Sequence, residues 1–128
     1  MRVPLKASGG TFVVPVEVNG IVTLDFFIDS GASDVTVPAD VFSTLKRTGT
    51  VRESDVVGQR TYLLADGSKT QSATFTIRSL RVGDMIIENV SASVAPSQGP
   101  LLLGQSFLKR FKSWSIDNAT QGLLLEAR

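Results

Sequence analysis

A chain of 128 residues, 42% apolar and 20% charged, suits one globular domain or at most a compact pair of half-sized lobes, and excludes a disordered segment. Its formal charge of +1 gives no reason to expect nucleic acid or an anionic membrane as a partner. The absence of cysteine and histidine excludes disulfides, thiolate nucleophiles, Cys/His zinc sites and every Ser–His or Cys–His catalytic arrangement, so acid–base chemistry falls to carboxylates.

In chain order the dominant rhythm is short β runs separated by turn residues. Thr11–Val18 and Ile21–Ile28 flank Asn19-Gly20, the strongest two-residue hairpin signal. Pro15 puts its strand at a sheet edge or on a bulge, because it has no N–H to give a ladder. Val35–Val37 is a strand, and Pro38-Ala39-Asp40 opens a short helix to about Arg47, with Val41, Phe42 and Leu45 on one side. Arg60–Leu64 and Thr70–Ile77 flank the Asp-Gly turn Ala65-Asp66-Gly67-Ser68, with Tyr62 near the base of that hairpin. Leu80–Val82 and Met85–Val94 follow around Gly83-Asp84, then a loop over Pro96–Pro100. Leu101–Gly104 reads as a buried strand ending on glycine, Gln105–Phe111 as the second helix, and Trp114–Ile116 and Gly122–Glu126 as the closing strands. Phe107, Phe111 and Trp114 are expected in the core. Eight or more short strands with one or two short helices predict a mainly β, closed or sandwiched fold. No stretch approaches the roughly 18–20 apolar residues of a membrane span.

The chemistry concentrates in Ile28-Asp29-Ser30-Gly31-Ala32-Ser33. The run before Asp29 is almost wholly apolar, so its carboxylate should arrive in a low-dielectric place and need hydrogen bonds there. Ser30 and Ser33 are the nearest donors, and Gly31 permits a tight turn whose amide faces the carboxylate. Such a group is a candidate general acid or base. One carboxylate cannot readily both activate water and protonate a leaving nitrogen, whereas two sharing one proton can. The chain carries a single Asp-Ser-Gly. Either this loop is a surface turn without chemistry, or a second copy of the chain supplies the second carboxylate.

The stretch "FFIDSGASDVTVP", Phe26–Pro38, joined to "LLLGQSFLKRF", Leu101–Phe111, resembles the retropepsin-like aspartic proteases over about residues 10–126, most closely their bacterial single-domain members. The resemblance implies a closed, barrel-like acid-protease fold over residues 1–128 and aspartic endopeptidase activity of a homodimer, with no metal and no cofactor. It implies that Asp29 is the catalytic aspartate, paired with Asp29 of a second protomer around one water. Ser30 would brace the loop across the dyad, and Gly31 would let the substrate backbone pass close. Leu102, Leu103 and Gly104 would pack beneath the loop. Ala32, Ser33 and Asp34 would line a peptide or protein substrate, and the hairpin tip Ala65, Asp66 and Gly67 would be the flap above it. Viral members carry Asp at the position of Ser33 and Arg at that of Gln105. Loss of both leaves no buried charge alone, and a neutral Ser33–Gln105 hydrogen bond is expected instead. The tip also lacks the glycine-rich run of the viral flaps. Apolar chain ends, Val3–Leu5 and Leu123–Leu125, are expected at the dimer interface because terminal strands need pairing. Bacterial relatives also imply an N-terminal membrane anchor or leader outside this chain, with a periplasmic or inner-membrane setting.

Two other readings stay open at this point: a catalytically silent dimerisation or peptide-binding module on the same fold, and a β-barrel that binds a small molecule. Asp34 by itself reads first as a turn residue bonding its own backbone. Asp40, Asp84 and Asp117 read as turn or helix-start residues, and no carboxylate group has metal-ligand spacing.

Overall fold

A computed structural model describes residues 1–128 apart from Leu64 and Ser97, and Tyr62 by its backbone alone. The expected strand end at Leu64, the loop residue Ser97 and the place of the Tyr62 side chain therefore lie outside the described residues. The strands are β1 (Arg2–Pro4), β2 (Lys6–Ser8), β3 (Thr11–Val18), β4 (Val22–Ile28), β5 (Val35–Pro38), β6 (Val56–Leu63), β7 (Lys69–Val82), β8 (Met85–Ala95), β9 (Leu101–Leu103), β10 (Phe111–Asp117) and β11 (Gly122–Ala127). The helices are α1 (Ala39–Arg47) and α2 (Gln105–Leu108), with a 3₁₀ turn at Glu53–Asp55. The chain is mainly β, as its turn spacing predicts.

The β3–β4 hairpin forms around Asn19-Gly20, which both take positive φ, 54° and 68°, and Ile21 N–H donates to Val18 O at 3.0 Å. Ile21 belongs to the turn and not to the strand, since the register pairs Val18 with Val22. Asn19 is itself buried: its side chain donates to Thr50 O and accepts from the Ser79 amide, so the turn is bonded to the body of the protein. Pro15 is accommodated differently from either expectation. β3 is an inner strand, but β2 covers only Thr11, Phe12 and Val13, and β7 pairs only with Glu17 and Val18. Pro15 falls in the gap between those two partners, where a missing N–H loses no ladder bond.

One large sheet runs in the order β2-β3-β4-β9-β5-β8-β7-β6, and β3 also pairs with β7, so the sheet curls back on itself. Val14, Val16, Phe26, Val35, Phe75, Ile77, Leu80 and Leu103 fill its inside, all at most 1% exposed. α1 packs Leu45 inward and Phe42 against Phe75, with ring centroids 4.9 Å apart. β7 is a single strand through Arg78-Ser79, where the sequence suggested a break. Arg78 reaches Asp55 and Thr50 O, and the Ser79 backbone exchanges bonds with Asn19, so both polar residues are satisfied without leaving the ladder.

The second sheet holds β1, β11 and β10. Here the apolar chain ends, Val3–Leu5 and Leu123–Leu125, meet within one chain. β1 pairs antiparallel with β11, and Val3, Leu5, Leu123 and Leu125 point into the chain's own core, each no more than 7% exposed. The two termini satisfy each other. α2 is also shorter than expected and stops at Leu108, because Phe111 is drawn into the β10–β11 ladder and packs edge-on against Phe107 at 5.2 Å. Phe107 and Phe111 are buried and Trp114 packs partly exposed against the core.

Candidate active site

The site is built where β9 slips between two strands that are neighbours in sequence. β9 runs parallel to β4, pairing Phe26, Phe27 and Ile28 with Leu101, Leu102 and Leu103, and touches β5 at Thr36↔Leu102. The Asp29–Asp34 loop must therefore pass over the end of β9 on its way from β4 to β5. Asp29 N–H donates to Leu103 O at 3.0 Å and continues the β4–β9 bonding by one residue. Its carboxylate is then delivered half-buried at the sheet's end.

The loop folds back tightly around that carboxylate. Gly31 N–H donates to Asp29 Oδ1 at 2.9 Å, and Ala32 N–H to Asp29 O at 3.2 Å. A Cβ on residue 31 would lie 3.2 Å from Asp29 Oδ1, so glycine serves close approach here. Asp29 Oδ2 and the exposed Ser30 hydroxyl take no hydrogen bond from the described residues.

Beneath the loop, the start of α2 supplies donors to successive carbonyls. Gln105 N–H reaches Ala32 O at 2.8 Å, Ser106 N–H reaches Ser33 O at 2.9 Å, and the Gln105 side-chain amide reaches Ser30 O at 2.8 Å. The expected Ser33–Gln105 side-chain bond is thus replaced. The backbone already holds Ala32 and Ser33, and the longer Gln105 side chain extends to the next free carbonyl. The Ser106 hydroxyl accepts from Val35 N–H and donates to Ser91 O, which joins α2, β5 and β8. Gly104 is in van der Waals overlap range with this loop: a Cβ there would collide with Asp34 O and lie 2.6 Å from Ala32 O. Gln105→Ala should lower stability by about 1 kcal/mol, seen as a lower thermal midpoint. Gln105→Glu should do more harm than Ala, because a carboxylate facing the Ser30 carbonyl has nothing to donate.

Asp34 departs from its reading as a turn residue. It is 8% exposed, and its carboxylate points inward: Oδ2 accepts from Ser93 Oγ at 2.7 Å and from Arg60 on β6 at 2.5 Å. Arg60 and Ser93 lie 26 and 59 residues away in sequence, and no local spacing announces either. The local bond here is made by Thr36, whose Oγ1 donates to Asp34 O, and not by the Asp34 carboxylate.

Ala65, Asp66 and Gly67 form the exposed tip of the β6–β7 hairpin, with Gly67 at φ 86°. Asp66 Oδ1 accepts from Ser68 Oγ at 2.6 Å and from Ser68 N–H at 2.9 Å. The hydroxyl bond first, then the amide, hold the Asp66 carboxyl below its ordinary range. A lowered folded-state value means that this local order is complete above the ordinary aspartate range and lost as pH falls through the lowered value. Protection of the Ser68 amide, followed by NMR, should persist through the usual aspartate titration and decline only below it. In Asp66→Ala it should be absent at every pH.

Two hollows mark the surface near the loop and beside α1. One of about 580 Å³ opens between Ile21, Val22 and Leu24 and the α1 residues Val41 and Leu45, and one of about 370 Å³ is lined by Ser33, Asp34, Gln105, Ser106 and Lys109. Asp29 lines neither. Among the described residues no group of three or more His, Cys, Asp or Glu side chains is placed to hold a metal, and no helix is long and apolar enough to cross a membrane.

The family model described as "gag-polyprotein putative aspartyl protease" matches residues 14–110, from within β3 to just beyond α2, and so spans both Asp29 and Gly104. The chain belongs to the retropepsin-like aspartic proteases. Among solved structures, the crystal structure of a retropepsin-like aspartic protease from Rickettsia conorii aligns with a TM-score of 0.71 at 26% identity, covering 98% of this chain and 88% of that one. No curated protein matches the chain. Membership among the retropepsin-like proteases agrees with the β9 insertion under an Asp-Ser-Gly loop, the arrangement that the two separated motifs anticipated.

Proposed function

We propose that this retropepsin-like chain is an aspartic endopeptidase that works as a homodimer, with the two Asp29 carboxylates meeting around one water. The observation that carries the reading is the state of Asp29. One oxygen is held by the Gly31 amide, the other is free of partners among the described residues, and the carboxylate stands half-buried. That state supports a proton shared with a second copy of the chain, since adjacent carboxylates cannot both ionise readily.

In the forward reaction one Asp29 takes a proton from the water as it attacks the scissile carbonyl. The protonated partner donates to the carbonyl oxygen, and the resulting tetrahedral species collapses as the amide nitrogen is protonated. No covalent intermediate forms. The Ser30 hydroxyl, exposed and without a hydrogen bond among the described residues, is free to bond across the dyad, and Gly31 leaves room for the substrate backbone. Peptide or protein substrate would lie extended over Ala32, Ser33 and Asp34, with the Ala65–Gly67 tip closing above it and excluding water. On this reading the β3–β7 pairing closes the large sheet into a barrel, and residues 1–128 act as one domain.

A peptide library incubated across acidic to neutral pH with the parent chain and with Asp29→Ala tests the proposal. Cleavage by the parent alone supports it. Equal cleavage by both, a strict monomer at every concentration, or a well-folded dimer that cuts nothing would overturn it, the last pointing to a silent peptide-binding module.

A further inference from the structure

The β6–β7 hairpin changes character at one register position, Arg60↔Ser72. Inward of it, β7 is laddered to β8 from Thr74↔Ser93 to Val82↔Met85. Outward of it, at Thr61↔Gln71, Tyr62↔Thr70 and Leu63↔Lys69, the hairpin's ladder among the described residues is its own, and Thr61, Leu63 and residues 65–69 are exposed. Two side chains hold the hairpin down where the free arm begins. Ser72, 6% exposed, donates its hydroxyl to Val94 O on β8, and Arg60 pairs with Asp34.

The two ends of the ion pair are unequal. The Asp34 side chain is 10% exposed and also bonded to Ser93, which is itself 1% exposed and locked between Thr36 of β5 and Thr74 of β7. The Arg60 side chain is 45% exposed on β6, the outermost strand of the sheet. Lifting the arm at its root would leave a nearly buried carboxylate with a single hydroxyl partner, which the desolvation cost of a carboxylate opposes. Asp34 also ends the loop that carries Asp29. The arm is therefore registered directly to the aspartate loop and not only through the sheet.

We infer that the Asp34–Arg60 pair is a positioning element that sets the height and mobility of the Ala65–Gly67 arm relative to Asp29. This rests on the protease reading for its consequence, substrate closure, but not for its physical content. Arg60→Met keeps the side-chain stem and removes the charge, and Asp34→Asn keeps the shape and an oxygen for Ser93. Each should raise amide exchange in residues 61–71 by about three- to tenfold, the range of a half-exposed ion pair at a locally opening segment. The β3–β4 hairpin should not change. The double variant should exchange no faster than Arg60→Met alone, because both changes break one interaction. Arg60→Lys should restore most of the protection. On a peptide that the parent cleaves, Arg60→Met should raise KM several-fold with kcat nearly unchanged, as loss of closure over bound substrate predicts.

Unchanged exchange in residues 61–71 in both single variants overturns the inference, as does a rise shared equally by the β3–β4 hairpin, which would mean general loosening. The exchange measurement needs no cleavage, so the two readings fail separately. A loosened arm in a chain that cuts nothing keeps the anchor and loses the protease. A parent-like arm in an Arg60→Met chain that still cleaves does the reverse.

Discussion

Asp29→Asn should fold and associate like the parent but lose about a thousandfold or more in kcat/KM, the scale of a missing general acid–base. The fold is expected to survive because an asparagine Oδ1 still accepts the Gly31 amide that now binds Asp29 Oδ1. What is lost is the ability to share or surrender a proton, and two amides facing each other across a dyad cannot replace that. Mixing sharpens the result. If parent and variant chains associate at random in equal amounts, activity per parent chain should fall to about half, since half of the parent chains then face an asparagine. A protein that worked through one chain would keep its full activity per parent chain. Titrating parent chain with variant at constant parent concentration, and reading initial cleavage rate, separates the two.

Gly104→Ala should be the most damaging single methyl in the chain. Its Cβ would collide with the Asp34 carbonyl and sit 2.6 Å from the Ala32 carbonyl, and both are backbone atoms with no rotamer to yield. The loop that crosses β9 would have to lift, breaking the Gln105 and Ser106 amide bonds to Ala32 and Ser33. A cost of about 3 kcal/mol is expected from overpacking against fixed backbone, or about 10 °C in thermal midpoint for a domain of this size. Activity should fall further than stability explains, since Asp29 rides on the displaced loop. Gly58→Ala is the matched control: its Cβ meets nothing within 4 Å, and a change within about 0.5 kcal/mol is expected there.

The elements that could be read directly from the residues are those whose cause is local. Asn19-Gly20 imposes positive φ on two adjacent residues and so makes the hairpin, whatever the rest of the chain does. The apolar run Phe26–Ile28 makes a strand that ends in the protein's interior edge, and Asp29 must follow it there. Gly31 beside Asp29 is the one small residue that lets an amide turn back onto the carboxylate. Downstream, Leu101–Gly104 carries the apolar strand and the side-chain-free residue on which the loop rests. Absence of histidine and cysteine then leaves carboxylates alone to do any acid–base work.

Other features depended on which distant segments came to lie side by side. Asp34 has the local chemistry of a turn residue, and only the arrival of Arg60 and Ser93 turns it into a buried, doubly bonded carboxylate. Pro15 signals an edge, and its strand is nevertheless an inner one because two partners cover it on either side of the proline. α2 has the helical pattern to reach Phe111, but the β10–β11 ladder claims that residue first. The chain ends are apolar and need partners, and β1 and β11 find each other within one chain. Backbone preference and turn chemistry act over a few residues, so they write the strands, the turns and the placement of Asp29 into the sequence. Pairing of strands and of buried charges is a competition among segments tens of residues apart, and its outcome is settled only when the strands pack around one core.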